Sequence, residues 1–155
     1  MNDEIKRERT PMKVMLNRDT LFGEPRMPTR AHDNDAGYDL YVAERTIVSA
    51  HSFEDVPSGV HVQLPEGSWG LLTGRSSSVR NRGLLVIQGV IDEGYRGELF
   101  SAVWNLTDHD VILEAGERVA QLILMPNITV TTELVEVQEL DASVRGSNGF
   151  GSSGA

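Results

Sequence analysis

From Val60 onward the chain alternates short apolar runs with turn residues, and this rhythm limits the available folds more than any other feature. Val60-His61-Val62-Gln63-Leu64 gives way to Pro65-Glu66-Gly67, and Leu84–Ile87 and Leu99–Leu106 lead to Thr107-Asp108-His109-Asp110. Val111-Ile112-Leu113 then precedes Glu114-Ala115-Gly116-Glu117, and Val119–Met125, Pro126-Asn127 and Ile128–Leu140 continue the series. Strand-length segments of this kind, rich in Val, Ile and Leu, predict an all-β sandwich or barrel. A first strand is expected at Lys13–Leu16, only Ser76–Asn81 suits a short helical turn, and the polar, proline-punctuated stretch Arg18–Asp35 reads as loop. Trp69 and Trp104 lie in strand-like segments and are expected in the core or an interface.

The two ends differ from this middle. Residues 1–12 read as a charged N-terminal extension, 13–140 as one β domain and 141–155 as a mobile C-terminal arm, because Arg145-Gly146-Ser147-Asn148-Gly149-Phe150-Gly151-Ser152 holds one aromatic among small residues and cannot bury enough apolar surface to fold alone. A length of 155 residues suits one domain. The formal net charge of -9 argues against nucleic acid and against anionic membrane as partners, since both carry the same sign. A small phosphorylated ligand stays compatible if a few arginines converge. With no cysteine there is no disulfide, thiolate nucleophile or Cys-type zinc site, and the four histidines share no metal-ligand spacing. No apolar run is long enough to cross a bilayer as a helix, so a soluble, cytoplasmic protein is expected.

Several residues stand out against the β background. In Gly89-Val90-Ile91-Asp92-Glu93-Gly94-Tyr95-Arg96-Gly97-Glu98 one carboxylate sits between an apolar strand end and a glycine turn, which is either a solvated hairpin or the seat of a general base. Asp39, in Ala36-Gly37-Tyr38-Asp39-Leu40, interrupts a strand-like segment and is either an edge or turn residue or part of a site. Thr73-Gly74-Arg75-Ser76-Ser77-Ser78 offers a guanidinium, hydroxyls and amides at a helical turn, either as a cap or as a cradle for phosphate oxygens. Gln121 lies inside an apolar strand, where an unpaired amide is costly, so it needs a structural or ligand partner. The glycine-rich tail with Arg145 can be a linker or a loop whose amides face an anion, but it is not a Walker A sequence.

These five segments, in their order along the chain, resemble the five motifs of the trimeric dUTPase family (deoxyuridine 5'-triphosphate nucleotidohydrolases), and the likeness spans residues 13–155. The resemblance implies a jelly-roll-like distorted β-barrel (a β-clip fold), a homotrimer with active sites at subunit interfaces, and an arm that closes over the nucleotide. It implies hydrolysis of dUTP to dUMP and pyrophosphate with Mg2+. Asp92 would be the base for the attacking water, Tyr95 would stack under the deoxyribose, and Gly89, Val90 and Ile91 would frame the uracil edge. Arg75, Ser76, Ser77 and Gln121 match phosphate ligands, and Asp39 matches the carboxylate that holds the metal through water. Arg145 would clamp the γ-phosphate and Phe150 would cover the base, with Gly149, Gly151 and Ser152 closing around the nucleotide. Three positions depart from the family pattern: Gly74 replaces the usual Pro, Asn148 the usual Gly, and Gln88 a small residue of the hairpin. Two alternatives accompany this reading. One is a dCTP deaminase relative, and the other a nucleotide-sensing protein with a regulatory partner, for which Asn2–Arg9 and Arg18–Asp33 are the candidate contact segments.

Overall fold

In the computed structural model, residues 10–19 and 23–143 are described. Ten strands, a short helix and one 3-10 turn occur among them: β1 Lys13–Leu16, β2 Gly37–Tyr41, β3 Thr46–Val48, β4 Phe53–Gln63, β5 Ser68–Gly74, α1 Ser76–Arg82, β6 Leu84–Val86, β7 Gly89–Ile91, β8 Glu98–Asn105, β9 Val111–Leu113, β10 Arg118–Pro126, and the turn Ile128–Thr131. They form antiparallel sheets ordered β1-β4-β8-β6, β2-β10-β5-β7 and β3-β9.

The alternation seen in the sequence becomes the division between core and surface. Along β8, Leu99, Ser101, Val103 and Asn105 are buried while Phe100 and Trp104 face outward, as a two-residue period requires. Leu40, Val60, Leu72, Leu99, Leu113 and Leu122 from different strands meet in one apolar cluster. Trp104 lies outside that cluster, stacked on Phe53 with ring centroids 6.0 Å apart. Two inward polar residues are fully satisfied. Ser58 Oγ donates to the Leu99 carbonyl at 2.6 Å, and Asn105 Nδ2 donates to the carbonyls of Val48 at 3.0 Å and His109 at 2.8 Å.

The expected strand at Lys13–Leu16 and the helical turn at Ser76–Asn81 are present, the latter extending to Arg82. The run Ile128–Leu140 differs from its reading as a strand. β10 ends at Pro126, Asn127 Oδ1 accepts from the Thr129 amide at 3.1 Å to start a 3-10 turn, and residues 132–143 contain no strand. Apolar alternation makes a strand only where a free edge and a covering face exist, and Leu134 and Leu140 are 95% and 88% exposed in the single chain.

Candidate active site

One pocket is built on the β2-β10-β5 surface. Asp39 of β2 pairs across the ladder with Gln121 of β10, and Gln121 pairs with Thr73 of β5, so the three share one face. β5 runs directly through Gly74 and Arg75 into α1. The helix is fixed from below: Ser78 Oγ donates to the Val119 carbonyl at 2.8 Å, and Arg82 bonds the Ile112 carbonyl at 2.5 Å and the Glu117 carboxylate. Gly83, in the left-handed region at φ 65°, closes the helix, where a side chain would also strike Thr107. Ser76, Ser77 and Arg75 are thereby held beside Asp39 and Gln121 around a cavity of about 280 Å³, with Asp35 and Gly37 on its rim.

Asp39 is nearly buried, and its charge is matched twice. Arg75 Nε lies 2.8 Å from Oδ1 and Arg118 Nη1 lies 3.0 Å from Oδ2. Gln121 has the partner its sequence context demanded, since Nε2 donates to the Gly74 carbonyl at 3.1 Å and leaves its second N–H free for a ligand. Gly37 is what lets this amide in, because a Cβ there would overlap Gln121 Oε1. A second, more apolar cavity of about 560 Å³ lies on the other side of Arg75 and Ser76, walled by Val79, Leu84–Ile87 and Gln88.

The hairpin lies elsewhere. β7 pairs with β5 so that Ile91 opposes Gly70 and Gly89 opposes Leu72. Its turn is tied by several bonds: the Tyr95 amide donates to the Asp92 carbonyl at 3.0 Å, Arg96 Nη1 to the Glu93 carbonyl at 2.7 Å, and the Gly67 amide to Glu93 Oε2 at 2.9 Å. Tyr95 folds back over Gly97, which has no Cβ to obstruct it, and its hydroxyl donates to the Glu98 carbonyl at 2.9 Å. The Asp92 side chain is exposed.

The chain therefore brings Asp39, Arg75, Ser76, Ser77 and Gln121 together, and none of Gly89, Val90, Ile91, Asp92 and Tyr95 lines that pocket. Asp92 follows Ile91, which faces Gly70; five residue steps lead from Gly70 to Arg75, just past the end of β5, and with that one step more the separation is about 20 Å at the usual strand rise. Arg145, Gly149, Phe150, Gly151 and Ser152 lie outside the described residues. Arg118 is the residue the sequence reading missed. The only signal in the sequence is a cation three residues before Gln121, and on a regular strand that spacing points it to the opposite face. Among the described residues no three His, Cys, Asp or Glu side chains form a metal cluster, and no helix is long and apolar enough to cross a membrane.

Comparison with known proteins gives the family of this fold. The family model for dUTPase matches residues 24–154. The chain belongs to the dUTPase family. It is 39% identical over 127 residues to the deoxyuridine 5'-triphosphate nucleotidohydrolase of Paramecium bursaria Chlorella virus 1, covering 82% of this chain and 89% of that protein. Against the rice enzyme of the same name it is 38% identical over 128 residues, covering 83% and 74%. Among solved structures, the Staphylococcus bacteriophage 80alpha dUTPase with dUpNHpp superposes with a TM-score of 0.85 at 32% identity, over 95% of this chain and 100% of that one. A dUTPase variant from phage phi11, described in terms of the coordination of a structural Mg(II) ion, superposes with a TM-score of 0.74 at 29% identity, over 84% and 98%. The three antiparallel sheets are thus the jelly-roll-like barrel of the dUTPases, and the chain is an enzyme of this nucleotidohydrolase family.

Proposed function

We propose that the chain hydrolyses dUTP to dUMP and pyrophosphate at sites assembled between copies in a homotrimer. The observation that carries this reading is the separation of an anion pocket from an exposed carboxylate in one chain. Arg75, the Ser76 and Ser77 hydroxyls and the free Gln121 N–H line a pocket suited to phosphate oxygens. Asp92, about 20 Å along the strand, is too far to serve a nucleotide held there by the same copy. A neighbouring copy that docks its hairpin against this pocket completes the set, and such head-to-tail contacts close naturally into a ring.

In that assembly Asp92 takes a proton from water as the oxygen attacks the α-phosphorus; the bond from that phosphorus to the bridging oxygen breaks and pyrophosphate leaves. Arg75, the two serines and Gln121 neutralise and align the phosphates. Tyr95 supports the deoxyribose and the Gly89–Ile91 backbone frames the uracil edge, while Arg145 and the Gly149–Ser152 stretch with Phe150 close over the nucleotide and exclude water. The donor set fits a divalent cation carried by the nucleotide. Mg2+ keeps several waters and commonly takes one or two carboxylates plus substrate phosphates, and Asp39 is one carboxylate beside an anion pocket with no dedicated cage around it. When bound, Mg2+ would offset phosphate charge and help fix the chain's orientation, with Asp39 holding it through water.

Incubation with dUTP and, separately, dCTP in the presence of Mg2+ tests the activity: dUMP and pyrophosphate from dUTP support it, whereas dUTP or dUMP formed from dCTP would indicate a deaminase. Mixing tests the assembly. Arg75→Gln and Asp92→Asn copies, each inactive alone, should regain about a quarter of wild-type activity when co-folded, because one site in four then combines an intact pocket with an intact hairpin. No recovery would place both residues in one copy's site.

A further inference from the structure

We infer that Arg118 is a positioning residue whose role is to hold Asp39 so that Arg75 is free to exchange Asp39 for a phosphate. The inference rests on the reading of the Arg75 pocket as a phosphate site. It starts from strand parity. Arg118 and Gln121 are three residues apart and would face opposite sides of a regular strand, yet both stand with Asp39. A register shift between Arg118 and Ala120 explains this: Arg118 pairs with Tyr41 and Ala120 with the adjacent Leu40, so one extra residue is accommodated and Arg118 is turned onto the pocket face.

Asp39 consequently has one guanidinium on each oxygen, and the two are not equivalent. Arg75 lines the cavity while Arg118, held on the other carboxylate oxygen, does not. Arg75, already in the cavity lining, is the one placed to turn to an anion there. If it did so alone, Asp39, whose side chain is 12% exposed, would be left without a counter-charge, a state that proteins tolerate poorly. Arg118 removes that cost. The three charges sum to one positive with Arg118 and to zero without it, in a chain of net charge -9 that otherwise repels a polyanion.

Binding of the non-hydrolysable analogue dUpNHpp without Mg2+, by titration calorimetry, tests this apart from any metal role of Asp39. Arg118→Gln should weaken binding about ten- to a hundredfold, and Arg118→Lys by less than about threefold. Adding Asp39→Asn to Arg118→Gln should restore affinity to within about threefold of wild type, since Arg75 then has no carboxylate to return to. A merely structural pair predicts no recovery. Wild-type affinity in Arg118→Gln, or no gain in the double variant, overturns the inference. Arg75→Gln separates the two levels: if it binds as tightly as wild type, the phosphate reading fails, and if it binds weakly while Arg118→Gln does not, the Arg118 inference alone fails. Arginine side-chain NMR on the wild-type protein needs no folded variant. The Arg75 Nε resonance should move on analogue binding while the Arg118 resonance stays, and any other pattern overturns the proposal.

Discussion

Gly37→Ala separates function from stability at a single atom. Gly37 lies under the Gln121 side chain, and an added Cβ would overlap Oε1 and sit 3.0 Å from Cδ and 3.2 Å from Cβ of that residue. The crowding at Cδ means that moving the tip alone does not relieve it, so Gln121 must change rotamer and give up its bond to the Gly74 carbonyl, while the approach to its Cβ is met by a shift of a few tenths of an ångström between the strands. The stability cost is small: about 1 kcal/mol for the lost bond and about 1 for the rotamer, offset by about 0.4–1 from the lower chain entropy of Ala in the unfolded state. The binding cost is larger. Losing one donor to a charged phosphate oxygen removes about 1.5–3 kcal/mol, or roughly ten- to 150-fold in affinity. Titration of dUpNHpp should report that loss while the urea midpoint shifts little. In a Gln121→Ala background the same Gly37→Ala change should cost almost nothing further, because its target is gone. Additive losses in the two variants, or a large loss of stability with unchanged binding, would refute the argument.

Asp92→Asn should leave dUpNHpp affinity near wild type and lower turnover by about 10² to 10⁴, the usual contribution of a positioned base, as measured by pyrophosphate release. Tyr95→Ala should raise hydrolysis of UTP relative to dUTP; an unchanged ratio would reduce Tyr95 to a turn residue that packs on Gly97. Asn105→Leu should destabilise the fold by about 3–5 kcal/mol in urea unfolding, since Val48 and His109 lose their donor and the Thr107 amide loses its acceptor at 2.9 Å. Residues 144–155 carry few apolar side chains, so their removal should leave folding intact while dUTP hydrolysis falls strongly.

What could be read from the sequence follows from the range of the physics involved. β8, β9 and β10 were legible because side-chain alternation is local; Asp39 and Gln121 stood out because polar groups in apolar strands need partners wherever they lie, and Arg75 because a guanidinium beside hydroxyls and amides at a helical turn is itself a local pattern. Ile128–Leu140 misled for the same reason: its apolar content is local, but whether a partner strand and a covering face meet it is a property of the whole chain. Arg118 was hidden by a one-residue register shift that reverses its side, and no count of residues along β10 reveals such a shift. The separation of Asp92 from Arg75 was equally invisible, because it depends on β7 running beside β5 with Ile91 against Gly70.

That separation has an electrostatic consequence under the proposed assembly. A carboxylate within reach of Arg75 pairs with it, as Asp39 does at 2.8 Å, and its oxygen is then occupied by the guanidinium and not by a water. Placing Asp92 on a hairpin about 20 Å along the strand prevents such pairing within one copy. Its turn is held by bonds to backbone carbonyls, from the Tyr95 amide to Asp92 and from the Arg96 side chain to Glu93 and Tyr95, and among the described residues no ion pair to the Asp92 carboxylate occurs. The nucleotide then does the joining: its phosphates draw Arg75 away from Asp39 in one copy while its sugar and base meet the hairpin of the next. Base and cation come together with the phosphate chain already between them, where attraction to either side aligns the substrate instead of collapsing the site into an ion pair.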